Sequence, residues 1–214
     1  MMEYRKMDLE TWPRREHYAY YTERLKVEFN LTASVDVKQL LDFCHTNGYK
    51  FYPALIWLVT KVLNQIENFR MFRDREGNLC VWNSLVPNYT IFHDDDKTFS
   101  DCWSEFDADF ARGYQNIVTD MEECKNKKGI KVKAGQPGNF YCISAMPWVS
   151  FSGYGSRVTN GEPAFFPIIT IGKYEKGPET VMMPINLTIA HAVCDGYHAA
   201  RFFETLQNEI NALR

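Results

Sequence analysis

Between Val181 and Leu213 the spacing of apolar residues changes from two to about 3.6 at one dipeptide, Asp195-Gly196, and no other stretch restricts the fold so much. Val181, Met183, Ile185, Leu187 and Ile189 alternate as one face of a strand. Ala199, Phe202, Phe203, Leu206, Ile210 and Leu213 recur as one face of a helix, with Asp195 as its N-cap. A strand that turns into a helix over six residues predicts an α/β unit. His191 falls at the strand end, on the buried parity. An imidazole with an ordinary pKa of about 6.5 can accept a proton near neutral pH, so His-x-x-x-Asp-Gly reads as a positioned general base. A satisfied core histidine beside a capping aspartate is the other reading.

Upstream, an extended segment from Val27 to Val35 feeds a helix capped by Asp36, with Val37, Leu40, Leu41 and Cys44 inward and Gly48 near its stop. Pro53 starts a second helix, apolar through Leu55, Ile56, Trp57, Leu58, Val59, Val62, Leu63 and Ile66, and therefore buried. Arg75-Glu76-Gly77-Asn78 is a hairpin turn between Phe72 and Leu79–Trp82. Further strands are expected at Tyr89–His93, Tyr141–Ala145, Ile168–Tyr174 and Val181–Ile189. Phe106, Phe110, Tyr114, Ile117, Val118 and Met121 lie on one face of a long helix. The whole predicts a single domain over residues 1–214, a mixed β-sheet covered by helices.

The formal charge of −3 lacks the basic excess of a nucleic-acid binder. No run of 18 apolar residues suggests a membrane span. The N-terminal residues lack a signal peptide's apolar core, so a soluble cytoplasmic protein is expected. Cys44, Cys80, Cys102, Cys124, Cys142 and Cys194 form no CxxC pair and are expected to be reduced. Cys44-His45 suggests a thiol nucleophile only weakly, because Cys44 belongs to an apolar stripe. His191, Asp195 and His198 do not share one helical face as zinc ligands would, so no metal is expected. The five lysines between Lys125 and Lys133 are either a solvated loop or a dock for an anion. Asp94-Asp95-Asp96 is an exposed acidic turn or a cation site.

His191-Ala-Val-Cys-Asp-Gly196 with Tyr197-His-Ala-Ala-Arg-Phe202, Trp12-Pro-Arg14-Arg-Glu-His17, Tyr49-Lys-Phe-Tyr-Pro53 and Ile143-Ser-Ala-Met-Pro-Trp148 occur in an order that resembles the trimeric chloramphenicol acetyltransferases over nearly the whole chain. The resemblance implies the two-layer α/β sandwich of CoA-dependent acyltransferases, a homotrimer with interfacial active sites, and acetyl transfer from acetyl-CoA to a hydroxyl of the antibiotic. His191 matches the family's base, one ring nitrogen held by a backbone carbonyl. Ser144 matches the serine that stabilises the oxyanion, and Arg14 and Asp195 a buried, bidentate ion pair. Tyr20, Tyr21, Leu25 and Phe29 match the acceptor's wall, and Thr170 a threonine that holds a water near it. Lys50, Tyr52, Trp148, Lys173 and Tyr174 match the coenzyme A site.

One departure concerns the acceptor. Drug-modifying members usually carry a second histidine before the base, whereas this chain has Ala190, on the parity away from the site. The segments Gly135–Gly138 and Phe151–Pro163 also look unlike those members. Two alternatives stay open: a CoA-dependent acyltransferase for another hydroxyl or a thiol, and a non-catalytic trimer that binds a ligand. Dihydrolipoyl acyltransferases share His-x-x-x-Asp-Gly, but this chain has neither a lipoyl domain nor an Ala/Pro-rich linker.

Overall fold

The computed structural model describes residues 3–156, 161 and 163–214. In chain order the elements are β1 (Tyr4–Lys6), α1 (Arg15–Ala19, continued by a π-helical turn, Tyr20–Arg24), β2 (Glu28–Asp36), α2 (Lys38–Asn47) and α3 (Phe51–Gln65). A 3₁₀ turn (Glu67–Arg70), β3 (Met71–Arg73), β4 (Leu79–Trp82), β5 (Val86–His93), β6 (Thr98–Trp103) and α4 (Phe110–Cys124) follow. The chain continues through β7 (Phe140–Met146), β8 (Ile168–Gly172), β9 (Glu175–Lys176), β10 (Val181–Ala190) and α5 (Gly196–Asn211).

The expected mixed sheet runs β2-β10-β8-β7-β5-β6, with β9 beside β10. Among the described strands, β7 is the one that pairs in parallel, with β5 and with β8; each needs a long crossover, and α4 lies within the first. One face is apolar. Tyr89, Ile143, Ile169, Leu187 and Ile189 join Leu55, Ile56, Val59 and Val62 of α3 and Phe202, Leu206 and Ile210 of α5 in one core. α3 is hydrophobic on every side and, as expected, almost wholly buried. Two buried hydroxyl pairs lie in this layer: Thr60 with Tyr141 and Tyr89 with Ser104, each 2.8 Å apart.

The other face carries a polar row. Ser144 stands opposite Thr170, Thr170 opposite Asn186, and Asn186 opposite Thr32. At the β5 end of the row, the Thr90 hydroxyl donates to Ser144 Oγ at 3.4 Å.

Several boundaries differ from the sequence expectation. Asp36 ends β2 rather than capping α2: its carboxylate accepts from the Lys38 and Val181 N–H groups, tying the first helical turn to β10. α3 begins two residues before Pro53, inside the first turn, where a missing N–H costs nothing. α4 begins at Phe110, because Asp109 caps it by accepting from Arg112 N, which leaves Phe106 outside. β8 stops at Gly172. The Arg75–Asn78 turn joins β3 to β4 as expected, with Gly77 at φ 83°. That hairpin belongs to a second, three-stranded sheet, β1-β4-β3, which the sequence reading missed along with β6. β10 is buried on both faces, so alternation could not assign His191 a side. The histidine lies one residue beyond the strand and is half-buried. Among the described residues no helix is long and apolar enough to cross a membrane.

Candidate active site

β10 delivers the chain into a tight turn, in which the Val193 and Cys194 N–H groups both donate to the Ala190 carbonyl. The His191 N–H donates to Val27 O at 2.8 Å, fastening this turn to the start of β2. His191 Nδ1 lies 2.9 Å from the Cys194 carbonyl. A carbonyl only accepts, so Nδ1 carries the proton and Nε2 of the neutral ring keeps its lone pair. The ring stacks on Tyr21, with centroids 4.0 Å apart and planes 18° apart, and Phe29 leans on it at 5.6 Å. Tyr21 is presented by the π-helical turn, an irregularity that recurs at functional sites and has no sequence signature. Tyr20 packs edge-on against Tyr21 at 5.2 Å and, like Leu25, is nearly half exposed.

Arg14 holds this turn from below. Its Nε donates to Asp195 Oδ2 at 3.2 Å, while the other two nitrogens donate to the Ala192 and His191 carbonyls at 2.9 and 3.2 Å. The pair is therefore not bidentate as expected, because the rest of the fork serves backbone. Asp195 does cap α5, accepting from Tyr197 N at 3.1 Å, and its Oδ1 lies 2.8 Å from His198 Nδ1. Burial alone would raise the Asp195 pKa, but the His198 imidazole and the Arg14 guanidinium outweigh it and hold the carboxyl below its ordinary value. The sequence reading missed His198 as a partner, although its place three residues after an N-cap is the capping-box signal.

The other expected site residues lie elsewhere. Lys50, Tyr52, Lys173 and Tyr174 line a cleft of about 660 Å³ with Thr90, Phe92 and Ala145. Ile91, Ile171 and Met183 give it apolar walls, and the exposed Lys50, Lys125 and Lys173 also line it. The Tyr52 hydroxyl is buried beside Thr90, and burial raises its pKa. Trp148 is 62 % exposed and packs edge-on against Phe92 at 4.6 Å, beside this cleft. Ser144 and Thr170 sit in the adjacent polar row, so Thr170 is far from the aromatic group with which the resemblance paired it.

Register measures the gap. Ser144 is two strands from Asn186, and His191 is five residues further along β10. At about 3.3 Å per residue and 4.8 Å per strand, their backbones are roughly 19 Å apart. Two such side chains cannot meet at one reacting atom.

The lysine-rich segment is largely spoken for. Lys125 pairs with Glu122, Lys131 with Asp101 and Lys133 with Asp120, while Lys128 alone reaches the acidic turn, at Asp95 and Asp96. Cys44 is buried, and burial pushes its thiol up to about 11, the wrong direction for a nucleophile. All six cysteines are free thiols.

A family model described as chloramphenicol acetyltransferase matches residues 2–207. A chloramphenicol acetyltransferase of Clostridium perfringens is 35% identical over 206 residues, 96% of this chain and 94% of that protein. Chloramphenicol acetyltransferase 3 of Escherichia coli is 36% identical over 211 residues, 99% of each chain. In structure, a chloramphenicol acetyltransferase superposes with a TM-score of 0.82 at 19% identity, covering 98% of both chains. The cubic core of a pyruvate dehydrogenase multienzyme complex superposes with a TM-score of 0.68 at 15% identity, covering 94% of this chain and 86% of the other. The two-layer sandwich, the strand-to-helix turn carrying His191, and these matches together establish that the chain belongs to the chloramphenicol acetyltransferase family of acyltransferases.

Proposed function

We propose that the 214 residues form one acetyltransferase domain that moves the acetyl group of acetyl-CoA to a hydroxyl of chloramphenicol, at a site shared between two copies of the chain in a cytoplasmic homotrimer. The observation that carries the reading is the locked imidazole: Nδ1–H is bound to the Cys194 carbonyl and the lone pair of Nε2 is left to take the acceptor's proton. When that proton arrives, the ring becomes a cation stacked on the Tyr21 face, a favourable arrangement, and its Nδ1–H bond strengthens. The freed oxygen attacks the thioester carbonyl directly, and collapse of the tetrahedral intermediate breaks the C–S bond, the departing coenzyme A thiolate taking the proton from Nε2. Ser144 receives a hydrogen bond from Thr90, which leaves its own proton free for the developing oxyanion. Arg14 and Asp195 hold the turn and carry no proton.

The cleft suits coenzyme A. The exposed Lys50 and Lys173 fit phosphates, apolar walls fit the pantetheine arm, Tyr52 offers a buried hydroxyl, and Tyr174 and Trp148 offer ring faces. Tyr20, Tyr21, Leu25 and Phe29 form the aromatic and apolar wall for the acceptor, and Thr170 a water site beside Ser144.

The roughly 19 Å between His191 and Ser144 favours a site completed by the neighbouring copy, whose polar row would then face the aromatic group. The experiment is acetylated product, measured by mass spectrometry, from His191→Ala, Ser144→Ala and a refolded equal mixture of the two. Each variant alone should be nearly inactive, and in a closed ring of random composition about one quarter of the sites should combine an intact histidine with an intact serine. Restored turnover supports the shared site; a mixture no better than its parts overturns it.

Ala190 motivates a second reading, with another hydroxyl as acceptor. It is fully buried and its N–H donates to the Ala164 carbonyl, so the position faces the interior rather than His191 Nε2. Product from acetyl-CoA and chloramphenicol decides for the first reading. Acetyl-CoA binding without product decides for the second.

A further inference from the structure

The His191 turn has four consecutive carbonyls, and a side chain holds each of them. Arg14 donates to those of His191 and Ala192, and the His191 ring itself to that of Cys194. The remaining one, Val193 O, accepts from Asn68 Nδ2 at 2.8 Å. Val193 is wholly buried, so this carbonyl has no water to turn to if the amide is removed. Asn68 comes from the 3₁₀ turn Glu67–Arg70, which the sequence suggested for no role. Its neighbour Phe69 is also wholly buried and packs edge-on against Phe202 of α5 at 5.9 Å, so the amide is presented from a rigid base.

We infer that Asn68 is a positioning residue for the acetyl transfer: by holding the Val193 carbonyl it fixes the peptide that leads to the Cys194 carbonyl, and through it the tautomer and aim of the His191 ring. Rotation of the Val193–Cys194 peptide changes the path to Cys194, and the Cys194 carbonyl is the partner that makes Nδ1 the protonated nitrogen. Each of the three guanidinium nitrogens of Arg14 is instead engaged at Asp195, Ala192 or His191. The inference rests on reading His191 as the proton acceptor.

The test uses the full chain with Asn68→Asp, which keeps the shape and replaces the donor by an acceptor, and Asn68→Ala, which removes both. Each is compared with wild type in kcat, in KM for acetyl-CoA and chloramphenicol, and in the ¹⁵N spectrum of histidine-labelled protein. The chain has five histidines, and His191→Ala identifies the relevant signals. Loss of one hydrogen bond predicts a kcat lower by about two- to tenfold in Asn68→Ala, and lower still in Asn68→Asp, with both KM values unchanged. The His191 ¹⁵N shifts should move from the Nδ1-protonated pattern towards a mixture of tautomers, a signature that general loosening of the fold does not give. A folded Asn68→Asp protein with wild-type kcat and wild-type ¹⁵N shifts overturns the role of Asn68 while leaving His191 as the base. Full turnover by His191→Ala overturns both.

Discussion

Replacing Arg14 removes more than an ion pair. The side chain is only 11% exposed, and its guanidinium spans three acceptors, two of them backbone carbonyls of the turn that carries His191. A hydrogen bond with a charged partner contributes about 1.5–3 kcal/mol. The Asp195 contact contributes at most about 1 kcal/mol, since that carboxylate is one-third exposed and keeps His198 and the Tyr197 N–H. Water entering the vacated space recovers part of the carbonyl loss. Arg14→Ala should therefore lower the unfolding free energy by about 4 kcal/mol. Arg14→Lys keeps the charge but has one nitrogen to offer, so about half of the loss should remain. Urea unfolding at fixed protomer concentration measures both, since assembly otherwise shifts the midpoint. In the variants that stay folded, kcat should fall more than either KM rises, because the damage falls on the aim of His191. A loss below about 1 kcal/mol for Arg14→Ala, with unchanged kcat, would refute the assignment of these three bonds.

Ser144→Ala should lower kcat by about 10²–10³ with little change in acetyl-CoA affinity, and unchanged turnover would remove the oxyanion role. Asp195→Asn tests the pKa argument. A carboxyl held low in the folded state stabilises fully above its unfolded value of about 3.9, and that contribution is lost as pH falls through the lower folded value. The stability gap between wild type and Asp195→Asn should accordingly close below about pH 4, and a gap that widens in acid sinks the assignment. Gly172→Ala puts a Cβ 2.7 Å from Phe151 Cε1 and 2.8 Å from Pro184 Cγ, so overpacking should cost about 1–3 kcal/mol, read as a lower melting temperature.

Local pattern carried much of this protein. The apolar α3, the cap at Asp195, the left-handed stop at Gly48 and the strand leading to His191 all follow from interactions within a few residues, and periodicity and capping report such interactions directly. Four short motifs carried the family, because their order along the chain is itself information. Other features needed the folded chain. β1 adds to the expected β3–β4 hairpin to make a separate sheet, and its pairing with β4, far apart in sequence, leaves no local mark. His191 has a defined tautomer because a turn brings Cys194 O to its ring, and Arg14 serves carbonyls rather than a bidentate carboxylate because α1 lies beneath that turn. The separation of His191 from Ser144 is a matter of register, which a strand's own composition does not encode. Sequence by itself determined which chemistry the chain could carry, through residue types at local spacings. Only the tertiary structure decided which of those residues meet, because long-range contacts are set by how the layers pack.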